Sequence, residues 1–321
     1  MRDTVVDGLA QVEEAVRDAV RSADPLADDA AGHLVRAGGK RTRPLLCLLA
    51  AQLGAPGPLV VDAAVVVELT HLATLYHDDV IDSATERRGV PSAQQVWGNT
   101  VAILTGDLLF ARASVIGAGL GPEAVSIQAR TFERLVLGEM RETVGPRRGE
   151  DPVAHYLQVL SDKTGSLIAT SARFGGMFSG LPAEQVRVLV EYGEQVGVAF
   201  QLADDVLDLA AERAESGKTP GTDLREHVPT LPVLLLRRAV ADSSAPAGSA
   251  ELLADLDGDL GDDEALADVV ARLRAHPVTA DARTEARRWS ARAVEALAPL
   301  PALPARDALA AVAEALADRT G

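Results

Sequence analysis

The sequence predicts an all-α fold built as one large helical domain spanning residues 1–321, and three observations carry that reading. Ala and Leu dominate while aromatic residues make up only 3% of the 321 residues, a composition that favours helices packed on helices over a β-sandwich. Apolar residues recur with helical periodicity almost without a break. No alternating apolar–polar segment is regular enough to be a strand, and no fixed-period repeat is present. With 47% hydrophobic residues, a chain of this length can bury a substantial core.

The first helix, 3–22, is amphipathic and charged throughout (MRDTVVDGLAQVEEAVRDAV), unlike a signal peptide. Helices at 26–37 and 42–54 follow. The run PLLCLLAAQL in the latter makes Cys47 a small core residue. As the single cysteine, Cys47 rules out an intramolecular disulfide and a Cys-based zinc cluster. GAPGP at 54–58 then breaks the chain before a nearly charge-free helix, 59–82. Helices at 99–118 and 122–143 lead to VGPRRGEDP (144–152), and those at 153–162, 166–179 and 183–213 lead to SGKTPG (216–221). After a helix at 230–241, SSAPAGSA (243–250) opens an acidic stretch, DLDGDLGDDE (255–264), read as a solvated loop. Helices at 250–258, 264–274, 279–298 and 304–318 complete the chain. No run of about 18 uncharged apolar residues marks a membrane span. A net charge of −16 argues against a general nucleic-acid or anionic-membrane binder, though not against a small anion held by a local basic site. A soluble, cytoplasmic protein is expected.

The helix 59–82 ends in LYHDDVID. Asp78 and Asp82 are four apart and share one helix face, while Asp79 sits about 100° round. A solvated helix end is the bland reading of a lone DDxxD. Against it, carboxylates in the last turns face the negative end of the helix dipole, and the pattern recurs. VAFQLADDVLDLA (198–210) places Asp204, Asp205 and Asp208 at the same spacing in another apolar helix. Oxygen ligands without His or Cys suit a hard cation such as Mg²⁺, which keeps waters and binds substrate phosphates. Two such clusters facing each other across a bundle would hold several Mg²⁺ ions around one diphosphate.

Of the 31 Lys plus Arg, only Lys40, Lys163 and Lys218 are lysine. All three sit in Gly-punctuated segments read as loops: AGGKRTRP (37–44), SDKTGS (161–166) and SGKTPGTD (216–223). A compact charge on a flexible stem suits a phosphate site. Arg41 and Arg43, then Arg87 and Arg88 in ERRGVP, add cations beside the first loop and the first aspartate motif. GKT at 217–219 is not a P-loop, because Glu212 stands where glycine is needed and no strand precedes it. KTG at 163–165 lacks the Ser-x-x-Lys partner of a β-lactamase.

Together, GGKRTRP, HDDVIDSATERRGVP, the GD at 106–107, KTG, and FQLADDVLDL followed by GKTPGTDLRE resemble the trans-isoprenyl diphosphate synthases of the polyprenyl synthetase family, from about residue 30 to 235. The resemblance implies an all-α fold of the isoprenoid synthase type around a central apolar cavity, usually in a homodimer. It implies Mg²⁺ sites at Asp78, Asp79 and Asp82 and at Asp204, Asp205 and Asp208, with about three ions per active site. It places the allylic prenyl diphosphate on Arg87, Lys163, Thr164 and Lys218, and isopentenyl diphosphate on Lys40, Arg43, His71 and Arg88, with Phe200 and Gln201 near the join. Asp78, Asp79, Asp82, Lys163, Asp204 and Asp205 are the catalytic set. Without the family, His71 reads as a satisfied core histidine, and Asp107 as either a support for the site or a helix-internal residue. One departure stands out: in EHVPTLP, His227 and Val228 occupy positions where many relatives have Gly-Lys, which puts one diphosphate contact in doubt.

By the same resemblance, residues four and five before Asp78, Thr74 and Ala73, face the tunnel that takes the growing chain. Short-chain members place an aromatic ring there. Its absence predicts an all-trans product of about C30 or above, with a C20 product as the alternative, and Ala73→Phe is expected to shorten it to C15–C20. Tyr76, on another side of the helix, is the ring that would close the tunnel if turned inward. Among rival readings, a terpene cyclase or head-to-head synthase needs no second basic diphosphate site. A non-catalytic subunit of a heteromeric synthase should have lost aspartates or lysines, and a purely structural helical protein does not explain where the lysines stand.

Overall fold

The computed structural model describes residues 1–210 and 221–317 and follows the helical periodicity closely. Its helices are α1 (Arg2–Ala19), α2 (Pro25–Arg36), α3 (Thr42–Ala51), α4 (Leu59–Ile81), α5 (Ala93–Trp97), α6 (Asn99–Leu120), α7 (Pro122–Val144), α8 (Pro152–Leu160), α9 (Ser166–Phe178), α10 (Ala183–Ala210), α11 (Thr222–Arg225), α12 (Leu231–Ala241), α13 (Ser249–Leu256), α14 (Asp263–Ala275), α15 (Pro277–Ala296) and α16 (Pro304–Ala317). Asp24 and Asp151 start α2 and α8 by accepting the backbone N–H of Ala27 and Val153, and a proline follows each in the first turn. By internal contacts the described residues form two compact units.

The first unit comprises Met1–Arg134, Ser166–Gly193 and Leu297–Leu309. Its centre is α4, buried along most of its length from Val60 to Tyr76 because its neighbours α1, α3, α6 and α9 cover it. Small residues set the approach: a Cβ on Gly175 of α9 would lie 2.1 Å from the Cys47 carbonyl of α3, so only glycine lets these two helices come so close. Cys47 is fully buried, and burial raises its thiol pKa above the usual range, as expected of a small core residue.

The second unit comprises the described parts of Leu135–Gly165, Glu194–Ala296 and Ala310–Gly321. One of its cores joins Tyr156 and Leu160 to Val198, Leu202, Val206 and Leu231. Another gathers Leu209, Val233, Leu236, Leu256, Leu260 and Leu273. The acidic stretch is therefore more than a solvated loop: Leu260 is buried, and Asp262 caps α14 by accepting from Glu264 and Ala265 N–H.

Four short features depart from the sequence expectation. The helices α5 and α11 are too short for a periodic signal. Glu86–Arg87 and Val90–Pro91 pair as a two-residue antiparallel hairpin. Its turn residues Arg88 and Gly89 both have positive φ, 57° and 75°, the requirement of a tight primed turn whose twist matches paired strands. Ser161–Gly165, read as a loop, is a π-helical turn between α8 and α9. The helices α4 and α6 are long and apolar enough to cross a membrane by length and composition. Most of α4 is buried, whereas α6 carries Ile103, Leu104 and Val115 at the surface.

Candidate functional site

In the first unit, the last turn of α4 and the hairpin bring the first aspartate motif together with Arg87. Asp79 points inward, fully buried, and Arg87 Nε donates to its Oδ1 at 2.6 Å. Its Oδ2 is buried and has no hydrogen-bond partner. Burial raises the Asp79 pKa and the Arg87 guanidinium opposes the rise. Asp78 is half-buried, and Asp82 is exposed as the C-cap residue of α4. The helical spacing thus holds, but Asp79, 100° round, is the one turned into the protein. No group of three or more His, Cys, Asp or Glu among the described residues is arranged as a metal cage. The donor set still fits a divalent cation of the Mg²⁺ type, which needs only one or two protein carboxylates, and an unpartnered buried carboxylate oxygen is what such an ion would use.

The AGGKRTRP segment bends through left-handed backbone at Gly38, Gly39 and Arg41. A Cβ on Gly39 would lie 2.9 Å from Arg88 Cζ, so glycine is required for Arg88 to lie there. Arg88 donates to the carbonyls of Leu34, at 2.9 Å, and Gly38. Arg41 turns inward and binds Glu13 and the buried Glu68, each at 2.7 Å. Sequence reading did not single out either glutamate. Arg43 is half-buried with an unpartnered buried Nε. Burial lowers its pKa to about 10, with the Glu68 charge opposing. His71 is half-buried, and burial together with the charges of Arg43 and Arg88 drives its pKa well below the usual range, leaving a neutral ring. Lys40 is exposed. Arg43, His71 and Arg88 therefore share a cation-rich, polar-unsatisfied locus suited to an anion.

In the second unit, Lys163 and Thr164 sit on the π turn, a deformation often found at functional sites. A Cβ on Gly197 would lie 2.4 Å from Gly165 Cα, so paired glycines let α10 touch the turn. Lys163 binds Glu139 at 2.7 Å and also Glu142. Burial works against its charge, but the Glu142 charge and the hydrogen bonds to both glutamates outweigh this and raise its pKa. Thr164 Oγ1 donates to Gln201 Oε1 at 3.4 Å. Phe200, the residue before Gln201 on α10, is half-buried.

Asp204 and Asp208 are half-buried and Asp205 is buried. Burial raises the Asp205 pKa to about 8, against hydrogen bonds from the Tyr156 hydroxyl and Leu231 N–H. The Asp223 N–H donates to Asp208 Oδ2 at 3.4 Å. Lys218 lies outside the described residues. His227, with φ of 55°, and Val228 border a cavity of about 600 Å³ whose wall also includes Glu142, Tyr156, Pro229 and Leu234. Tyr156, Glu139 and Glu142 were missed because nothing in their spacing relates them to Asp205 or Lys163; only packing does.

On α4, Ala73 is fully buried and Thr74 is half-buried, its hydroxyl donating to the His71 carbonyl at 2.8 Å. Tyr76 is buried toward α2: its hydroxyl donates to the Ala30 carbonyl at 2.5 Å and accepts from Leu34 N–H at 3.3 Å. Burial pushes its pKa up to about 12. Asp107 Oδ1 lies 3.3 Å from His77 Nε2, one residue before the first aspartate motif.

Residues 24–259 match the sequence profile of a family described as polyprenyl synthetase. A nonaprenyl diphosphate synthase from Mycobacterium tuberculosis is 49% identical over 98% of this chain and 93% of its own. Among solved structures, a geranylgeranyl pyrophosphate synthase from Corynebacterium glutamicum, crystallised with calcium and isoprenyl diphosphate, has a TM-score of 0.86 at 42% identity, covering 99% of this chain and 96% of that one. A decaprenyl diphosphate synthase from Rhodobacter capsulatus has a TM-score of 0.87 at 34% identity, covering 99% and 98%.

Proposed function

The chain belongs to the polyprenyl synthetase family, and from that premise we propose a Mg²⁺-dependent synthase of long all-trans prenyl diphosphates. It is a prenyltransferase that condenses isopentenyl diphosphate with an allylic prenyl diphosphate. The family match spans parts of both compact units, in keeping with one catalytic domain over 1–321. The observation that carries the site reading is the unpartnered buried Oδ2 of Asp79 at the end of α4.

Bound divalent metal supplies charge neutralisation of the diphosphate and of the oxygen that leaves with it. Asp78, Asp79 and Asp82 offer the first set of carboxylate oxygens, and Asp204, Asp205 and Asp208 the second. Lys163, Thr164 and Arg87 hold the allylic diphosphate, joined by Lys218. Arg43, His71 and Arg88, with Lys40 on its loop, hold isopentenyl diphosphate; Phe200 and Gln201 lie near the join. The allylic C–O bond breaks, the isopentenyl double bond attacks the resulting cation, and a proton from the new C–C unit passes to the departing diphosphate. Apolar walls must keep water from the cation.

A product of about C30 or above is favoured by the absence of a ring at Ala73 and Thr74 and by Tyr76 being held on α2. The named long-chain relatives point the same way, while the Corynebacterium structure keeps C20 as the second reading. Chromatography of products formed from farnesyl diphosphate, isopentenyl diphosphate and Mg²⁺, with a chelated control, tests the assignment. Chain growth that persists without divalent metal, or no growth with it, rejects it.

Lys40→Ala is expected to weaken isopentenyl diphosphate far more than the allylic substrate, and Lys163→Ala the reverse. Each loses a charge-assisted contact worth roughly 1.5–3 kcal/mol, or about 10- to 150-fold. Equal changes in both KM values would refute the division of sites.

A homodimer is the proposed assembly. Exposed positions of α6 recur at Thr100, Leu104, Asp107, Ala111, Val115 and Ala118, three or four residues apart along one face of the helix, as a helix-to-helix contact needs. Its charges, Asp107 and Arg112, disfavour a lipid-facing reading. Val115→Glu together with Leu104→Glu is expected to convert the dimer to monomer in light scattering coupled to gel filtration; an unchanged mass places the interface elsewhere. The charge of −16 and a single buried cysteine fit a cytoplasmic location.

A further inference from the structure

Among the described residues, a tyrosine outside every motif of the sequence touches the second aspartate motif. Tyr156 lies on α8, buried, and its hydroxyl donates to Asp205 Oδ2. The Leu231 N–H, at the start of α12, donates to the same oxygen at 3.3 Å. Both donors converge on Oδ2, and Oδ1 takes neither. The carboxylate is thereby pinned by one edge from two different elements, α8 and α12, while it is carried by a third, α10. Tyr156 also borders the 600 Å³ cavity. Apolar packing on Val198, Leu202 and Val206 holds the ring against α10, and the hydroxyl is what reaches the Asp205 carboxylate.

We propose that Tyr156 is a positioning residue that fixes the rotamer of Asp205, so that Oδ1 is presented to a divalent cation carrying diphosphate. This rests on the reading of Asp205 as a metal-facing carboxylate. Outer-shell partners of ligating carboxylates orient them, and losing one typically costs about 10- to 100-fold in metal affinity. Tyr156 touches no reacting atom. Its removal should act through metal affinity and leave the allylic KM at saturating metal nearly unchanged.

The test is calorimetric titration of full-length protein with Mg²⁺ in the presence of inorganic pyrophosphate, which binds without turnover. Tyr156→Phe keeps the ring and removes the donor; it is expected to weaken Mg²⁺ uptake about 10- to 100-fold, with helical circular dichroism preserved. Equal affinity in Tyr156→Phe and wild type overturns the positioning role, even if the variant melts earlier, because a purely structural residue would move only the melting temperature. Wild type that takes up no Mg²⁺ with pyrophosphate overturns the metal reading itself, and this inference with it. Should Tyr156→Phe fail to fold, the wild-type chain carries the test through its three tyrosines. After 3-fluorotyrosine labelling, with resonances assigned from Tyr76→Phe and Tyr192→Phe, the Tyr156 fluorine signal is expected to shift on adding Mg²⁺ and pyrophosphate while that of Tyr192 stays put. A Tyr156 signal that does not move overturns the proposal.

Discussion

Asp78→Ala and Asp204→Ala are each expected to lower prenyl transfer by on the order of 10³-fold, the scale of losing a major charge-stabilising group in a water-poor site. The fold should survive. Asp78 and Asp204 are half-buried on helix faces, and alanine is the residue best suited to a helix interior. Asp79 and Asp205 are poorer choices for this experiment. Removing the carboxylate of Asp79 would leave Arg87 without its partner, and removing that of Asp205 would strand the Tyr156 hydroxyl in a buried position, so stability and chemistry would change together. Incorporation of radiolabelled isopentenyl diphosphate, with circular dichroism as the control, decides the matter. Near-normal turnover in either variant would remove that aspartate from the metal site.

Thr74→Phe is expected to shift the product from long chains to about C15–C20 while the first condensation is largely kept. The structure moves this test from Ala73 to Thr74. Ala73 is fully buried, so a ring added there meets packed atoms and costs about 1–3 kcal/mol in strain, which would appear as a lower melting temperature whatever happened to the product. Thr74 is half-buried, and among the described residues its hydroxyl bonds the His71 carbonyl one turn back, so a larger side chain there displaces fewer packed atoms than at Ala73. Product chromatography and melting curves for both variants separate the two effects. If the wild type already stops at C20, or Thr74→Phe leaves the length unchanged, the open-tunnel reading is wrong.

The sequence by itself determined the all-α class, nearly every long helix, and the family. These depend on local periodicity, on Gly and Pro breaks, and on motifs contiguous in the chain. The helix expected at 26–37, found as α2 over Pro25–Arg36, and the nearly charge-free run of α4 are examples, since a helix forms over residues that are neighbours in sequence. What only the tertiary structure decided involves residues far apart in the chain. Arg87 folds back on Asp79 because Arg88–Gly89 takes a left-handed turn. Lys163 meets Glu139 and Glu142 across a π turn that had read as a loop. Arg41, grouped by sequence with the cations of the site, is spent on Glu13 and Glu68. The Tyr156–Asp205 bond spans 49 residues. Helical spacing says which side chains share a face, but not which of them faces a partner. That is fixed by burial: a charged or polar group taken out of water must find a counter-charge or a donor on whatever element packing brings to it.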